Sequence, residues 1–307
     1  MYHLKTRKPR FLSAQKLFRP AFWLFVAMLA FVGSVAIVRG QTIVKGEWTA
    51  EFKPNKQNQI HLTFQRRSSD GGGFNINSDY LALGELQGLS AAALTSARTD
   101  VSFSLVREAG TFAFEGYFSE GRGVGFWTLT PSAKFIAAMR SRGYDNLSDS
   151  DLTRAAMNDL TTAFVDELKS AGYEKLTFNE TMRAKNHDVN AAYIRQVKNM
   201  GFEAQPLEKL IRMRNHDITP EFVSQMKSAG FENLTVEQLI RLQNHDVTVS
   251  FINDLKAEGY ANVTPEAAIR AKNHDIDRSF IQRAKAQGYN NVSLEELIRL
   301  SNRGLVK

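Results

Sequence analysis

This sequence predicts an α+β protein: a membrane-directed N-terminal helix, a small antiparallel β domain, then an α-helical solenoid of six 29-residue two-helix repeats. Three observations predict it. Gly143, Gly172, Gly201, Gly230, Gly259 and Gly288 recur every 29 residues, and each precedes Tyr or Phe. Upstream, apolar and polar residues alternate with a period of two. Ahead of both, a basic flank leads into an apolar run.

The N-terminal segment carries the chain's excess charge. The overall balance is +7, yet residues 1–40 hold seven Lys or Arg and no acid, while 131–307 hold 24 basic against 23 acidic. A basic chain invites a nucleic-acid reading, but the parts expected to fold are near neutral and carry no zinc-finger, helix-turn-helix or RNP motif; no nucleic-acid partner is expected. Residues 1–20 read as a basic cytoplasmic tail and 21–38 as a transmembrane anchor, broken only by Gly33 and Ser34. Eighteen helical residues span about 27 Å, close to the ~30 Å hydrocarbon core. The positive flank stays in the cytoplasm, which places the remainder beyond the membrane. The alternative is a cleaved signal, with Ser34-Val35-Ala36 or Val38-Arg39-Gly40 as the small-residue site and a secreted product. The chain has no cysteine, hence no disulfide, lipid-attachment or thiolate chemistry.

Residues 43–130 predict the antiparallel β domain. Ile60, Leu62 and Phe64 alternate with polar positions, as do Val101, Phe103 and Leu105, Phe112 and Phe114, and Val124 and Phe126, which predicts antiparallel strands with one buried face. Five strands are expected, near 44–52, 59–66, 101–107, 111–118 and 123–129. Leu81–Leu94 has helix-like apolar spacing and would cover the open face, and Asp70-Gly71-Gly72-Gly73 reads as a loop. A pocket for a small apolar ligand, lined by Trp48, Phe103 and Trp127, is one functional expectation for this domain.

Residues 131–307 predict the helical repeats. The first helix of each begins at Ser132, Thr161, Asn190, Thr219, Thr248 or Asp277, all good N-caps, and Pro220 suits a first helical position. The periodic glycine then ends it in a left-handed conformation. The second helix begins at Ser148, Thr177, Thr235, Thr264 or Ser293, with Asp151, Glu180, Gln238 and Glu296 three residues after four of them, as in a capping box. The third copy has Pro206 at that position and is the least regular.

Four copies end on Asn-His-Asp, which places His187, His216, His245 and His274 in one column. The next column holds Asp or, in the last copy, Gly304, followed by an apolar residue. That reads as a second left-handed cap, with the histidine at the last helical position, bonding free carbonyls. Equivalent side chains of stacked helices stand roughly 10 Å apart, too far to share a zinc ion whose ligands lie at ~2.0–2.1 Å. No metal is expected. Arg154, Arg183, Arg212, Arg241, Arg270 and Arg299 form a further column; Arg140, Lys169, Lys198, Lys227, Lys256 and Lys285 form another. These are either helix-end charges paired with acids of neighbouring turns or a basic stripe for an acidic ligand. The arginine and histidine columns are the candidate binding residues.

Catalytic patterns are scarce. Gly121, Gly123 and Gly125 lie in a strand pattern rather than opening a helix, so they are no phosphate cradle. Ser224-Gln225-Met226-Lys227 matches Ser-x-x-Lys, but no Lys-Thr-Gly follows. No His-Glu-x-x-His, Gly-x-Ser-x-Gly or Walker loop occurs; neither enzymatic activity nor a cofactor is expected.

The segment Val101–Pro131, with Ser104-Leu105-Val106-Arg107-Glu108-Ala109-Gly110-Thr111-Phe112 and Phe114-Glu115-Gly116, leads into copies of the type Ile211-Arg212-Met213-Arg214-Asn215-His216. Together they resemble the extracytoplasmic tail of some bacterial antibiotic-sensor-type membrane metallopeptidases and of uncharacterised exported proteins. The resemblance spans residues 43–307, without the peptidase part and its zinc motif. The resemblance implies a place in the bacterial envelope and a sensing or docking role, and no catalytic residue carries over. With the anchor reading of 21–38, the expectation is a bacterial inner-membrane protein with its domains outside the cytoplasm, whose stacked repeats bind a protein or peptide partner.

Overall fold

The structure, a computed structural model, describes residues 44–53, 58–67 and 74–306. The expected anchor at 21–38, its basic flank and the loop glycines 71–73 lie outside them. Among the described residues no helix is long and apolar enough to cross a membrane.

Seven strands form one antiparallel sheet: β1 (Val44–Phe52), β2 (Gln59–Arg67), β3 (Phe74–Ala82), β4 (Leu86–Gln87), β5 (Thr99–Arg107), β6 (Gly110–Ser119) and β7 (Arg122–Pro131). Their order is β3-β2-β1-β7-β6-β5-β4. The count corrects the five strands expected. Asn75, Asn77, Ser78 and Asp79 give β3 the composition of a loop, but its full-length antiparallel register with β2 makes it a strand. Leu81–Leu94 is likewise not one helix. It holds the end of β3, a 3-10 turn (Leu83–Glu85), β4 and the short helix α1 (Ala91–Thr95). Leu81, Leu86, Leu89 and Leu94 are all buried, so β3, β4, the link after β4 and α1 each send one leucine inward and together mimic a helical stripe, while the 3-10 turn buries none.

The sheet is curled, and its topology requires this. β3 and β4 are the two edge strands, yet only Leu83–Glu85 separate them. Four peptide steps span at most ~15 Å, whereas six strand spacings at ~4.8 Å would hold the edges of a flat sheet ~29 Å apart. Curling brings rings together across the concave face: Trp48 on β1 meets Phe103 on β5 at 5.3 Å, and Phe64 on β2 meets Phe112 on β6 at 5.0 Å. Two-period alternation puts these rings inside and leaves Ile76 on the exposed convex face, and it corrects the reading of Val124 and Phe126, which are exposed because Gly123, Trp127 and Leu129 supply the inward face of β7.

Twelve helices follow as a helical array. They are α2 (Ala133–Arg140), α3 (Asp149–Met157), α4 (Thr162–Ser170), α5 (Phe178–Asn186), α6 (Ala191–Asn199), α7 (Leu207–Asn215), α8 (Pro220–Ser228), α9 (Val236–Asn244), α10 (Val249–Ala257), α11 (Pro265–Asn273), α12 (Arg278–Ala286) and α13 (Leu294–Asn302). From α2 to α13 every N-cap side chain except Pro206 accepts a backbone N–H of the first turn. The even-numbered helices end on the periodic glycines, all with positive φ, and Tyr144 N–H reaches back to the Met139 carbonyl at 3.1 Å in a Schellman closure. Odd-numbered helices from α3 to α11 end on Asp159, Asp188, Asp217, Asp246 and Asp275, also at positive φ, with Gly304 in the same role after α13. The expected second cap is therefore present.

Even helices pack on even helices and odd on odd. Helices shorter than ~12 residues are marginal alone, so an array of eight- and nine-residue helices depends on these neighbours. Phe135, Met139, Leu152, Ala155, Ala156 and Leu160 join the sheet's buried rings in one core, so the concave face is covered by the first helix pair. Polar contacts reinforce that junction. Glu108 accepts from Thr162 N–H at 3.1 Å and from its hydroxyl at 2.6 Å, and Asn77 Nδ2 donates to Asn158 Oδ1 at 3.1 Å.

Candidate functional site

The interior of the curled sheet is filled by its own rings. Trp48, Phe103 and Trp127 are at most 4% exposed, and the indoles donate to backbone carbonyls of Glu115 at 3.2 Å and Glu47 at 2.9 Å. The glycine run finds its role here. A Cβ at Gly123 would lie 2.7 Å from the Trp48 ring and one at Gly125 2.6 Å from its nitrogen. These positions give the indole room.

The arginine column joins copies rather than forming a free basic stripe. Arg183 pairs with Glu208, Arg212 with Glu237 (3.7 Å), Arg241 with Glu266 (3.8 Å) and Arg270 with Glu295. Each partner lies 25 residues on, in the following odd helix, not in a neighbouring turn as sequence spacing had suggested. Arg154 meets Asn179 at the equivalent place, at 2.8 Å. Arg299, in the last helix, turns to Glu296 of its own helix at 3.1 Å. Hydrogen bonding to Arg183 holds the Glu208 carboxyl below its ordinary range.

The histidines are one residue past the helix end, not at its last position as expected, and among the described residues none of their rings bonds a backbone carbonyl. His187 Nδ1 meets Asn215 Oδ1, and His216 Nδ1 meets Asn244 Oδ1, both at 2.8 Å. His245 and His274 occupy the same C-cap position. The correction has a simple cause: the Schellman closure already supplies backbone donors to the last carbonyls, which frees the ring to reach the next copy. Among the described residues no three His, Asp or Glu side chains converge as metal ligands.

Lysines and tyrosines make the same kind of link. Lys169, Lys256 and Lys285 donate to the carbonyls of Arg142, Ala229 and Glu258, each in the preceding copy, at 2.7, 2.7 and 3.0 Å. Tyr260 donates to the Val292 carbonyl of the following copy at 2.9 Å. The glutamate and asparagine partners are also periodic, but their signal is visible only when columns of different copies are compared.

One row is left over. On the outer face of the even helices, Ala137, Asp166, Arg195, Ser224, Asn253 and Gln282 occupy equivalent positions, all exposed, and differ in every copy. Between α6 and α8 this face opens into a groove of about 620 Å³, lined by Ala192, Arg195, Gln196 and Asn199 on one wall and Pro220, Val223, Ser224 and Lys227 on the other.

The array is thus a set of short helix pairs stitched copy to copy, with one exposed and variable face. No protein family, curated protein or solved structure matches the chain. The likeness to metallopeptidase tails rests on the residues quoted above alone.

Proposed function

We propose that the chain is a binding scaffold, a solenoid of six two-helix repeats held outside the cytoplasm by the segment 21–38, whose even-helix face engages a protein or peptide. One observation carries this reading. The arginine column, the same in all six copies, links neighbouring copies from Arg154 to Arg270, and histidines and lysines add links in some of them, whereas the exposed row from Ala137 to Gln282 is different in each copy. Invariant joints with a variable outer face are what a stacked-repeat binder needs, since each copy contributes one distinct contact to an extended partner. The curled sheet acts as the solenoid's N-terminal cap, because it covers the apolar face of the first helix pair.

The test is selection from a random peptide library on the full-length chain, followed by hydrogen exchange with and without the selected peptides. Protection confined to the even helices, α2, α4, α6, α8, α10 and α12, is expected. Protection confined to the sheet would overturn the reading. The membrane placement has a separate check: a reporter active only outside the cytoplasm, fused after Lys307, should be active.

A further inference from the structure

The groove between α6 and α8 brings two exposed cations to a single opening of the even-helix face. Toward the N-terminal end, Arg142 is tied to Asp166 at 2.6 Å. Toward the C-terminal end, Arg278 is tied to Glu258 at 3.2 Å and Lys285 to Glu258 at 2.6 Å. Between them, Arg195 and Lys227 line the groove from opposite walls, and neither makes an ion pair or hydrogen bond among the described residues. The lysine column divides here: Lys169, Lys256 and Lys285 reach back to a carbonyl of the preceding copy, whereas Lys198 on α6 and Lys227 on α8 make no such bond among the described residues. Glu221 stands on α8 but does not line the groove.

The floor is apolar. Met200 and Val223 are buried at 6% and 5% exposure, with half-buried Pro220 beside them. From Ala192 to Asn199 the wall rises about 10 Å, which an extended chain covers in about three residues. Two uncompensated cations above an apolar floor attract a carboxylate-bearing chain that also offers an apolar side chain. A basic or neutral segment would leave both charges unmatched.

We infer that this groove, with Arg195 and Lys227 as its charged walls, is the docking point for an extended acidic segment of a partner protein. The inference rests on the scaffold reading above and narrows it to one pair of helices and one partner chemistry. Ser224 and Lys227 share the groove, but no hydrogen bond joins them, and the proposal is one of binding alone.

The experiment titrates the full-length chain with a fluorescein-labelled peptide of alternating glutamate and leucine, read by anisotropy. Glutamine–leucine and lysine–leucine peptides serve as comparisons. The glutamate peptide should bind, and should weaken as salt is raised. Arg195→Glu and Lys227→Glu should each weaken it by at least about tenfold, while Arg283→Glu, the same charge change on α12, should leave it within about twofold. Both groove side chains are exposed, so unchanged circular dichroism is expected in these variants. Equal binding of the glutamine peptide, or glutamate-peptide binding that survives both groove substitutions, overturns the groove while the scaffold reading stands. Failure of all three peptides to bind the folded chain also overturns it, and the library selection then decides the scaffold reading independently.

Discussion

The indole of Trp48 lies so close to the backbone of Gly125 that a Cβ there would sit 2.6 Å from the ring nitrogen. The same Cβ would meet the carbonyl oxygen of Glu115 on the neighbouring strand. Overpacking a core costs ~1–3 kcal/mol, and contact with sheet backbone puts this site at the upper end. Gly125→Ala should therefore destabilise the chain by about 3 kcal/mol, whereas Gly84→Ala, with nothing within 4 Å, should stay within ~0.5 kcal/mol. Urea unfolding followed by tryptophan fluorescence measures both. Coincident midpoints for the two variants would contradict the packing described.

Gly230 closes α8 at φ +86°. A β-branched residue in that conformation adds steric strain to the loss of the cap, so Gly230→Val should cost more than ~1 kcal/mol, and more than Gly230→Ala. Thermal unfolding is the measurement. An unchanged transition in the valine variant would show that the glycine column is not a cap.

Tyr193 is the one tyrosine in a column that elsewhere reads Phe135, Phe164, Phe222, Phe251 and Phe280. Its side chain is 5% exposed and its hydroxyl has no hydrogen-bond partner among the described residues. An unpaired buried hydroxyl costs about 1–3 kcal/mol, so Tyr193→Phe should raise stability by about 1 kcal/mol. Burial pushes the phenol pKa up to about 12. A raised folded-state value means that the neutral phenol's stabilisation is intact below the unfolded pKa of about 10 and lost as pH rises toward 12. The phenylalanine variant should lose less stability than wild type over that interval in alkaline urea titrations.

Glu208 titrates in the opposite sense. Its folded pKa is depressed by the hydrogen bond from Arg183, so its contribution is present above the ordinary carboxyl range and disappears as pH falls through the folded value. Glu208→Gln should flatten the acid limb of the stability profile, with little change at neutral pH in high salt. An unaltered acid limb would show that the arginine–glutamate link is energetically silent.

Zinc should not bind the histidine column stoichiometrically. Two of the rings are engaged with Asn215 and Asn244, and copies stand too far apart to converge on one ion. His216→Asn, the residue the first copy already carries at Asn158, should leave the melting transition nearly unchanged, with a loss no larger than ~1 kcal/mol. Isothermal titration with zinc would refute this if it revealed a tight site that vanished with that substitution.

Sequence alone determined whatever depends on local backbone chemistry. The 29-residue period, the N-cap residues, the glycine and aspartate terminators and the irregular start at Pro206 were all legible, because caps and left-handed residues act within one turn of chain. Tertiary structure decided what those side chains touch. Arg183 finds Glu208, His187 finds Asn215 and Lys256 finds the Ala229 carbonyl only after adjacent copies stack, since no spacing within one helix brings residues 25 to 28 apart together. The same holds for the sheet. Polar β3 is a strand because β2 pairs with it, and Gly123 and Gly125 are small because the curl of the sheet lays Trp48 against them. The uncommitted charges of Arg195 and Lys227 emerge last, because a residue's lack of a partner is a property of everything packed around it.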